Sequence, residues 1–117
     1  MSLYSINEAL ERFEGDAALW SEFAETWLET VQADHDGYTE ALEAGNSRAA
    51  LYHINKLKGA SATIGATGLA SISQSLEAEI RELRIDEAQA LSAEFTEVFA
   101  LSIRETRLLI AGFRTPG

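Results

Sequence analysis

The spacing of apolar residues is the feature that most limits what this chain can fold into. Apolar residues recur at three- and four-residue steps, which places their side chains on one face of an α-helix. The clearest series is Leu19, Trp20, Phe23, Trp27, Val31, Tyr38 and Leu42. No stretch alternates apolar and polar residues as a half-buried strand would. The sequence therefore predicts an all-α protein.

Capping and turn residues divide the chain into five predicted helices. Ser5 and Glu8 fit a capping box, and Asp86 can cap the last helix. The predicted helices are a short one from Ser5 to about Arg12, a long one from Asp16 to Gly45, a third from Asn46 or Ser47 to about Ile64, a fourth carrying Leu69 to Ile80, and a fifth from Asp86. Short connections between long amphipathic helices favour an up-down-up-down four-helix bundle with a short N-terminal capping helix.

Length and charge exclude several classes of function. The 117 residues predict a single domain over 1–117, with 113–117 as a frayed tail. Nine basic and nineteen acidic residues give a net charge of −10, which argues against nucleic acid because phosphate contacts need clustered Lys and Arg. Without an apolar run of about 18 residues or a signal peptide, we expect no membrane contact and a cytoplasmic location.

Metal and cofactor chemistry find little support in the sequence. The chain has no cysteine, and its two histidines, His35 and His53, lie far apart along it. It also has no glycine-rich phosphate loop. We therefore expect no metal and no cofactor, and His35 is predicted to be a solvated residue of the second helix.

One window of the chain contains no acidic residue. Residues 1–44 hold eleven acids and residues 77–117 hold eight, whereas residues 45–76 hold none. The same window carries Arg48, Lys56 and Lys58. A neutral-to-basic stretch in an acidic chain indicates either a docking site or, by chance, a pair of helices rich in small residues.

A motif within and just after this window resembles a known family. The residues are Asn55-Lys56-Leu57-Lys58-Gly59, then Ile64-Gly65-Ala66, Leu69 and Leu76-Glu77. This ordered set resembles the histidine-containing phosphotransfer (HPt) domain family, whose pattern is His-x-Leu-Lys-Gly, a Gly-Ala turn, and then Leu and Leu-Glu on the next helix. The resemblance covers the whole chain. It implies a two-component phosphorelay protein whose partners are the receiver domain of a response regulator and a sensor histidine kinase.

The chain departs from the family at the phosphoacceptor position, where it has Asn55 instead of histidine. The amide nitrogen has its lone pair delocalised into the carbonyl, so it is a poor nucleophile. The resemblance therefore implies a degenerate, pseudo-HPt form that binds its partner without carrying phosphate, with no catalytic residue and no enzymatic activity.

Three alternatives stay open at this point. His53 could carry phosphate, although at about 100° per residue it lies about 160° around the helix from Asn55. Asn55 could be an engineered replacement of a native histidine in an active phosphotransfer protein. The chain could also be a purely structural helical bundle.

Helix geometry places the predicted partner-binding residues on one face. Lys58 lies about 60° and Gly59 about 40° from Asn55, on either side, and Ala62 points nearly the same way. Lys56 is also predicted to be a partner-binding residue, because it adds positive electrostatic potential near this face. Gly59 costs about 1 kcal/mol relative to alanine in a helix interior, which the close approach of a partner or of the fourth helix would explain.

Overall fold

The computed structural model describes residues 2–114, which form six helices and no strand. The helices are α1 (Ile6–Arg12), α2 (Ala17–Glu43), α3 (Ser47–Ile64), α4 (Thr67–Arg81), α5 (Ile85–Ala90) and α6 (Ser92–Arg114). The prediction of an all-α bundle with a short N-terminal helix is confirmed. Helix α3, which carries the motif, packs between α2 and α4, and α6 closes the bundle against α2 and α4. No described helix is long and apolar enough to span a bilayer.

Local capping chemistry sets the ends of α2 and α3. The Asp16 carboxylate accepts a hydrogen bond from the Leu19 N–H at 3.0 Å, and the Asn46 side chain accepts from Ala49 N–H at 3.1 Å. Gly65 ends α3 in the left-handed conformation, with φ of 94°. These three boundaries lie where the sequence predicts them.

Three other boundaries differ from the prediction. Asp86 does not cap the predicted fifth helix, because that helix begins at Ile85 and Asp86 lies in its first turn. Ser5 precedes α1 but its side chain does not cap it, so the predicted capping box is wrong. The predicted fifth helix is two helices, because the chain tightens at Leu91, whose N–H also bonds the Ala88 carbonyl three residues back. Helix α6 then continues through Arg114, so residues 113 and 114 of the predicted tail are helical; residues 115–117 lie outside the described part of the chain.

Trp20 connects α2 to the end of α3. Its side chain is fully buried, and its indole N–H donates to the Ile64 carbonyl at 2.9 Å. Trp27 is also in the core, as predicted. Phe23 is not: 51% of it is exposed, and its ring lies against Phe13. Its predicted core position is wrong because its side chain lines an open groove between α2 and α3.

His35 is largely covered by α6 rather than solvated, so that prediction is also wrong. Its ring stacks on Phe99 of α6 at 4.2 Å between centroids and on Phe95 at 5.1 Å, and only 13% of its side chain is exposed. The physical reason lies in the spacing, since His35 falls between Val31 and Tyr38 on the apolar stripe of α2.

Candidate functional site

Two of the predicted site residues converge on one carboxylate of the next helix. Asn55 and Lys58 lie one turn apart on α3 and both reach Glu77 of α4. The Asn55 amide Nδ2 donates to Glu77 Oε2 at 2.7 Å, and Lys58 Nζ donates to Glu77 Oε1 at 3.0 Å. The side chains of α3 and α4 thus form one polar cluster.

Glu77 is the buried member of this cluster, with only 6% of the residue exposed. The hydrogen bond from Asn55 is the largest cause that lowers the pKa of the Glu77 carboxyl below its ordinary value. Burial opposes this shift, while the hydrogen bond and charge of Lys58 and the charge of Arg81, 3.8 Å from Glu77 Oε1, reinforce it. Glu77 is therefore an ionised hydrogen-bond acceptor at neutral pH.

Sequence reasoning placed Glu77 in the motif but not among the site residues. One signal was present: Glu77 is the first acid after the acid-free window 45–76, and it follows the core residue Leu76. An acid at that boundary is available to pair with a lysine of the window. Its contact with Asn55 depends on how α3 and α4 are aligned.

Gly59 and Ala62 lie beside the cluster, in a shallow open groove between α3 and α4. Lys58 lines the same groove, and the α4 side is formed by small and polar residues, namely Thr67, Ala70, Ser71 and Gln74. A Cβ built on Gly59 would meet no other atom within 4 Å. Close approach of α4 therefore does not explain this glycine.

Lys56 and His53 lie on another side of α3, facing α2. Lys56 Nζ is 3.5 Å from Asp34 Oδ1, and His53 Nδ1 is 3.1 Å from the same oxygen. The His53 ring rests on Gly37, where an added Cβ would come within 2.5 Å of two ring atoms. The structure thus brings together four of the five predicted partner-binding residues and separates Lys56 from them, although 53% of its side chain is exposed.

The described residues do not assemble a metal site. Within residues 2–114, no three His, Asp or Glu side chains converge as metal ligands would. Chemically, the cluster offers a fixed amide, a cation and a buried anion. It contains no imidazole.

We expect the lowered pKa of Glu77 to appear in the acid stability of the chain. A lowered carboxyl pKa contributes stability above the unfolded value of about 4.3, and that contribution is lost as pH falls through the folded value. Asn55→Leu removes the main cause of the shift. Its free energy of unfolding should therefore be lower at pH 7 and should fall less than the wild type's between about pH 5 and pH 3.

Urea unfolding at a series of pH values measures this difference. Asn7→Leu is the matched control, because Asn7 is an exposed asparagine of α1, outside the cluster. A parallel pH dependence of stability for Asn55→Leu and the wild type would show that the Asn55–Glu77 bond does not stabilise the carboxylate.

Comparison with known proteins gives two matches. A family model described as Hpt domain matches residues 22–107, a range that contains Asn55, Lys58 and Glu77. Among solved structures, the fold is similar to the crystal structure of the HPT domain from a sensor hybrid histidine kinase of Shewanella, with a TM-score of 0.82 and 14% identity over 97% of each chain. At this identity, the likeness shows the fold alone. No curated protein matches the sequence.

Proposed function

The chain belongs to the Hpt domain family, and we propose that it is a degenerate member that docks on its partner without carrying phosphate. Family membership makes it a two-component phosphorelay protein of the HPt type. The proposed partner is the receiver domain of a response regulator or a sensor histidine kinase. The proposed docking face consists of Asn55, Lys58, Gly59 and Ala62, and it is called the Asn55 face below.

One observation carries the proposal: the amide of Asn55, which the motif aligns with the phosphoacceptor histidine of the family pattern, is held by Glu77 at 2.7 Å. The polar cluster beneath it is complete, since Lys58 also bonds Glu77. An amide in this place keeps the shape and hydrogen bonding of the face. It supplies no lone pair for attack on phosphorus, so the face can bind but cannot accept a phosphoryl group.

The distribution of charge supports docking in one orientation. The acid-free window forms α3 and most of α4, so it supplies the Asn55 face and the groove beside it. All nineteen acidic residues of the chain lie outside this window of the sequence. Complementary charge of this kind speeds encounter with an acidic partner and disfavours wrong orientations. Lys56 lies outside the Asn55 face, on the side of α3 that faces α2, where it is 3.5 Å from Asp34 Oδ1.

The contacts of His53 favour a degenerate HPt domain over one in which His53 carries the phosphoryl group. Its ring bonds Asp34 and packs on Gly37 of α2. To react through Nε2, the ring would have to leave Gly37, and a partner would have to dock near α2 rather than on the Asn55 face. The proposal therefore assigns His53 a role in packing α3 on α2.

Gly59→Ala should have opposite effects on stability and on binding. A helix-interior alanine in open space should raise the free energy of unfolding by about 1 kcal/mol. The added methyl group would stand where the partner approaches, which should weaken partner binding by about tenfold. Urea unfolding and isothermal titration calorimetry with the receiver measure the two effects.

Gly112→Ala is the matched control for this variant. Gly112 is a helical glycine of α6 that also has open space around it. It should gain stability while leaving the affinity for the partner unchanged. Equal affinities for both variants and the wild type would show that Gly59 is not part of the docking face.

Mapping of the interface by NMR tests the proposed function. The isotope-labelled chain is titrated with purified receiver domains and histidine kinase domains from the organism that encodes it. We expect at least one of them to bind and to shift the amide resonances of Asn55, Lys58, Gly59 and Ala62. Shifts confined to α6, or no binding to any of these domains, would overturn the proposal.

A further inference from the structure

The outward face of α6 carries two exposed leucines in line with each other. Leu101 is 43% exposed and Leu108 is 57% exposed. At about 100° per residue, their spacing of seven places the two side chains within about 20° of the same direction. A single exposed leucine is ordinary on a protein surface, but two of them aligned two turns apart form an apolar strip along the helix.

Charged residues flank this strip, and they are sorted by sign along the helix. Glu94 and Glu97 precede Leu101, whereas Arg104 and Arg107 follow it. All four charged side chains are exposed, and none of them forms an ion pair within residues 2–114. The first half of the outward face is therefore acidic and the second half basic.

The helix dipole does not account for this order. Its effect is confined to the first and last turns of a helix, whereas Glu97, Arg104 and Arg107 lie in the middle turns of Ser92–Arg114. The remaining acid of the basic half, Glu105, is half-buried near Tyr4, at the edge of the face. The arrangement instead fits a partner helix whose charges run in the opposite order.

A second copy of α6 meets this condition when it runs antiparallel to the first. With a two-fold axis beside Leu101, this leucine packs against its own copy, and Glu97 of one chain lies level with residue 105 of the other. At 1.5 Å per residue, Glu97 is then within about 3 Å, along the helix axis, of both Arg104 and Arg107 of the other chain. The two-fold axis repeats these pairs at the other end of the contact.

From this arrangement we propose that the chain forms a weak, two-fold symmetric dimer through antiparallel contact of the outward faces of α6. One helix pair is a small interface, so the association is concentration-dependent. The net charge of −10 on each copy opposes it, but at physiological salt this repulsion is screened beyond about 8 Å, whereas the facing Glu and Arg side chains lie in contact.

The proposed dimer leaves the Asn55 face free. That face is carried by α3, which packs between α2 and α4, while α6 closes the bundle against the same two helices. A partner with two copies of its docking domain could therefore bind both chains of the dimer and gain avidity. This consequence rests on the proposed function, whereas the dimer itself does not.

Sedimentation equilibrium of the intact chain from about 10 μM to about 1 mM tests the dimer. We expect the average mass of the wild type to rise from that of one chain towards that of two. Glu97→Arg, and separately the double variant Arg104→Glu/Arg107→Glu, place like charges opposite each other and should weaken association by about tenfold or more. An equimolar mixture of these two variants should restore association, because every facing pair is then again opposite in sign.

Matched controls separate the α6 contact from changes in overall charge or hydrophobicity. Glu11→Arg, at an exposed acid of α1, changes the net charge as much as Glu97→Arg and should associate like the wild type. Leu101→Gln keeps every charge but should weaken association, whereas Leu83→Gln, at a leucine that is 73% exposed beyond the end of α4, should not. Circular dichroism checks that each variant is folded.

The outcomes distinguish this inference from the proposed function, because no measurement needs a receiver or a kinase. A wild-type chain that stays monomeric up to about 1 mM would overturn the dimer and leave the docking function in place. Association that persists in folded Glu97→Arg and Leu101→Gln, or a mixture of the two charge variants that stays monomeric, would overturn the antiparallel α6 contact.

Discussion

Replacing Asn55 with histidine should give the chain the ability to take a phosphoryl group from a phosphorylated receiver domain. A ring N–H of the new imidazole can donate to Glu77 Oε2, as the Asn55 amide does at 2.7 Å. The other ring nitrogen then faces the partner with a free lone pair, which is the nucleophile that the site lacks. We expect a change from no labelling to stoichiometric labelling when Asn55→His is incubated with a radiolabelled phospho-receiver.

The new label should be stable to base and labile to acid, as phosphohistidine is. Asn55→Gln is the matched control, because it keeps an amide and should remain unlabelled. Adding Glu77→Ala to Asn55→His should slow the transfer, since the ring then loses the acceptor that orients it. An Asn55→His chain that is folded and binds the receiver but stays unlabelled would show that more than the nucleophile is missing.

Trp20→Ala should strongly destabilise the folded chain. Removal of this fully buried ring should lower the free energy of unfolding by about 3–5 kcal/mol. The Ile64 carbonyl also loses its indole donor, at 2.9 Å, which adds about 1 kcal/mol or more. Because that bond joins α2 to the end of α3, the loss should also loosen the helix that carries Asn55. Urea unfolding followed by circular dichroism measures the effect.

Phe23→Ala is the control for this substitution, on the same face of α2 one turn later. Phe23 is 51% exposed, so its truncation should cost only about 1 kcal/mol. Similar losses for the two variants would contradict the burial described for these two aromatic residues.

The helices and several of their ends were predictable because they depend on neighbours in sequence. Apolar spacing identifies a helix, and Asp16 and Asn46 cap helices through N–H groups only three residues away. The break between α5 and α6 was missed because no glycine or proline marks it. A single tightened turn at Leu91 produces it instead.

Burial was less predictable, because it depends on which helix lies opposite. His35 lies on the apolar stripe of α2, yet its polar ring led to the prediction that it is exposed to solvent. The two phenylalanines of α6 that cover it are about 60 residues away in the sequence. Phe23 lies on the same helix and stays half exposed because it lines an open groove between α2 and α3. Periodicity predicts which face of a helix a residue lies on, but it does not predict which residues of other helices pack against that face.

In the candidate site, too, features within one helix were predictable and contacts between helices were not. The shared face of Asn55, Lys58, Gly59 and Ala62 follows from the angle per residue within one helix. The bonds to Glu77 could not be derived in this way, because they depend on the alignment of α3 with α4. For the same reason, the pairing of Lys56 with Asp34 of α2 was not foreseen.

The most direct test of the central claim is intact-mass spectrometry of the wild-type chain with an excess of a phosphorylated receiver that binds it. We expect a complex in which the wild-type chain keeps its unmodified mass while Asn55→His, in parallel, gains one phosphoryl group. A wild-type chain that gains a phosphoryl group, on His53 or at any other residue, would contradict it.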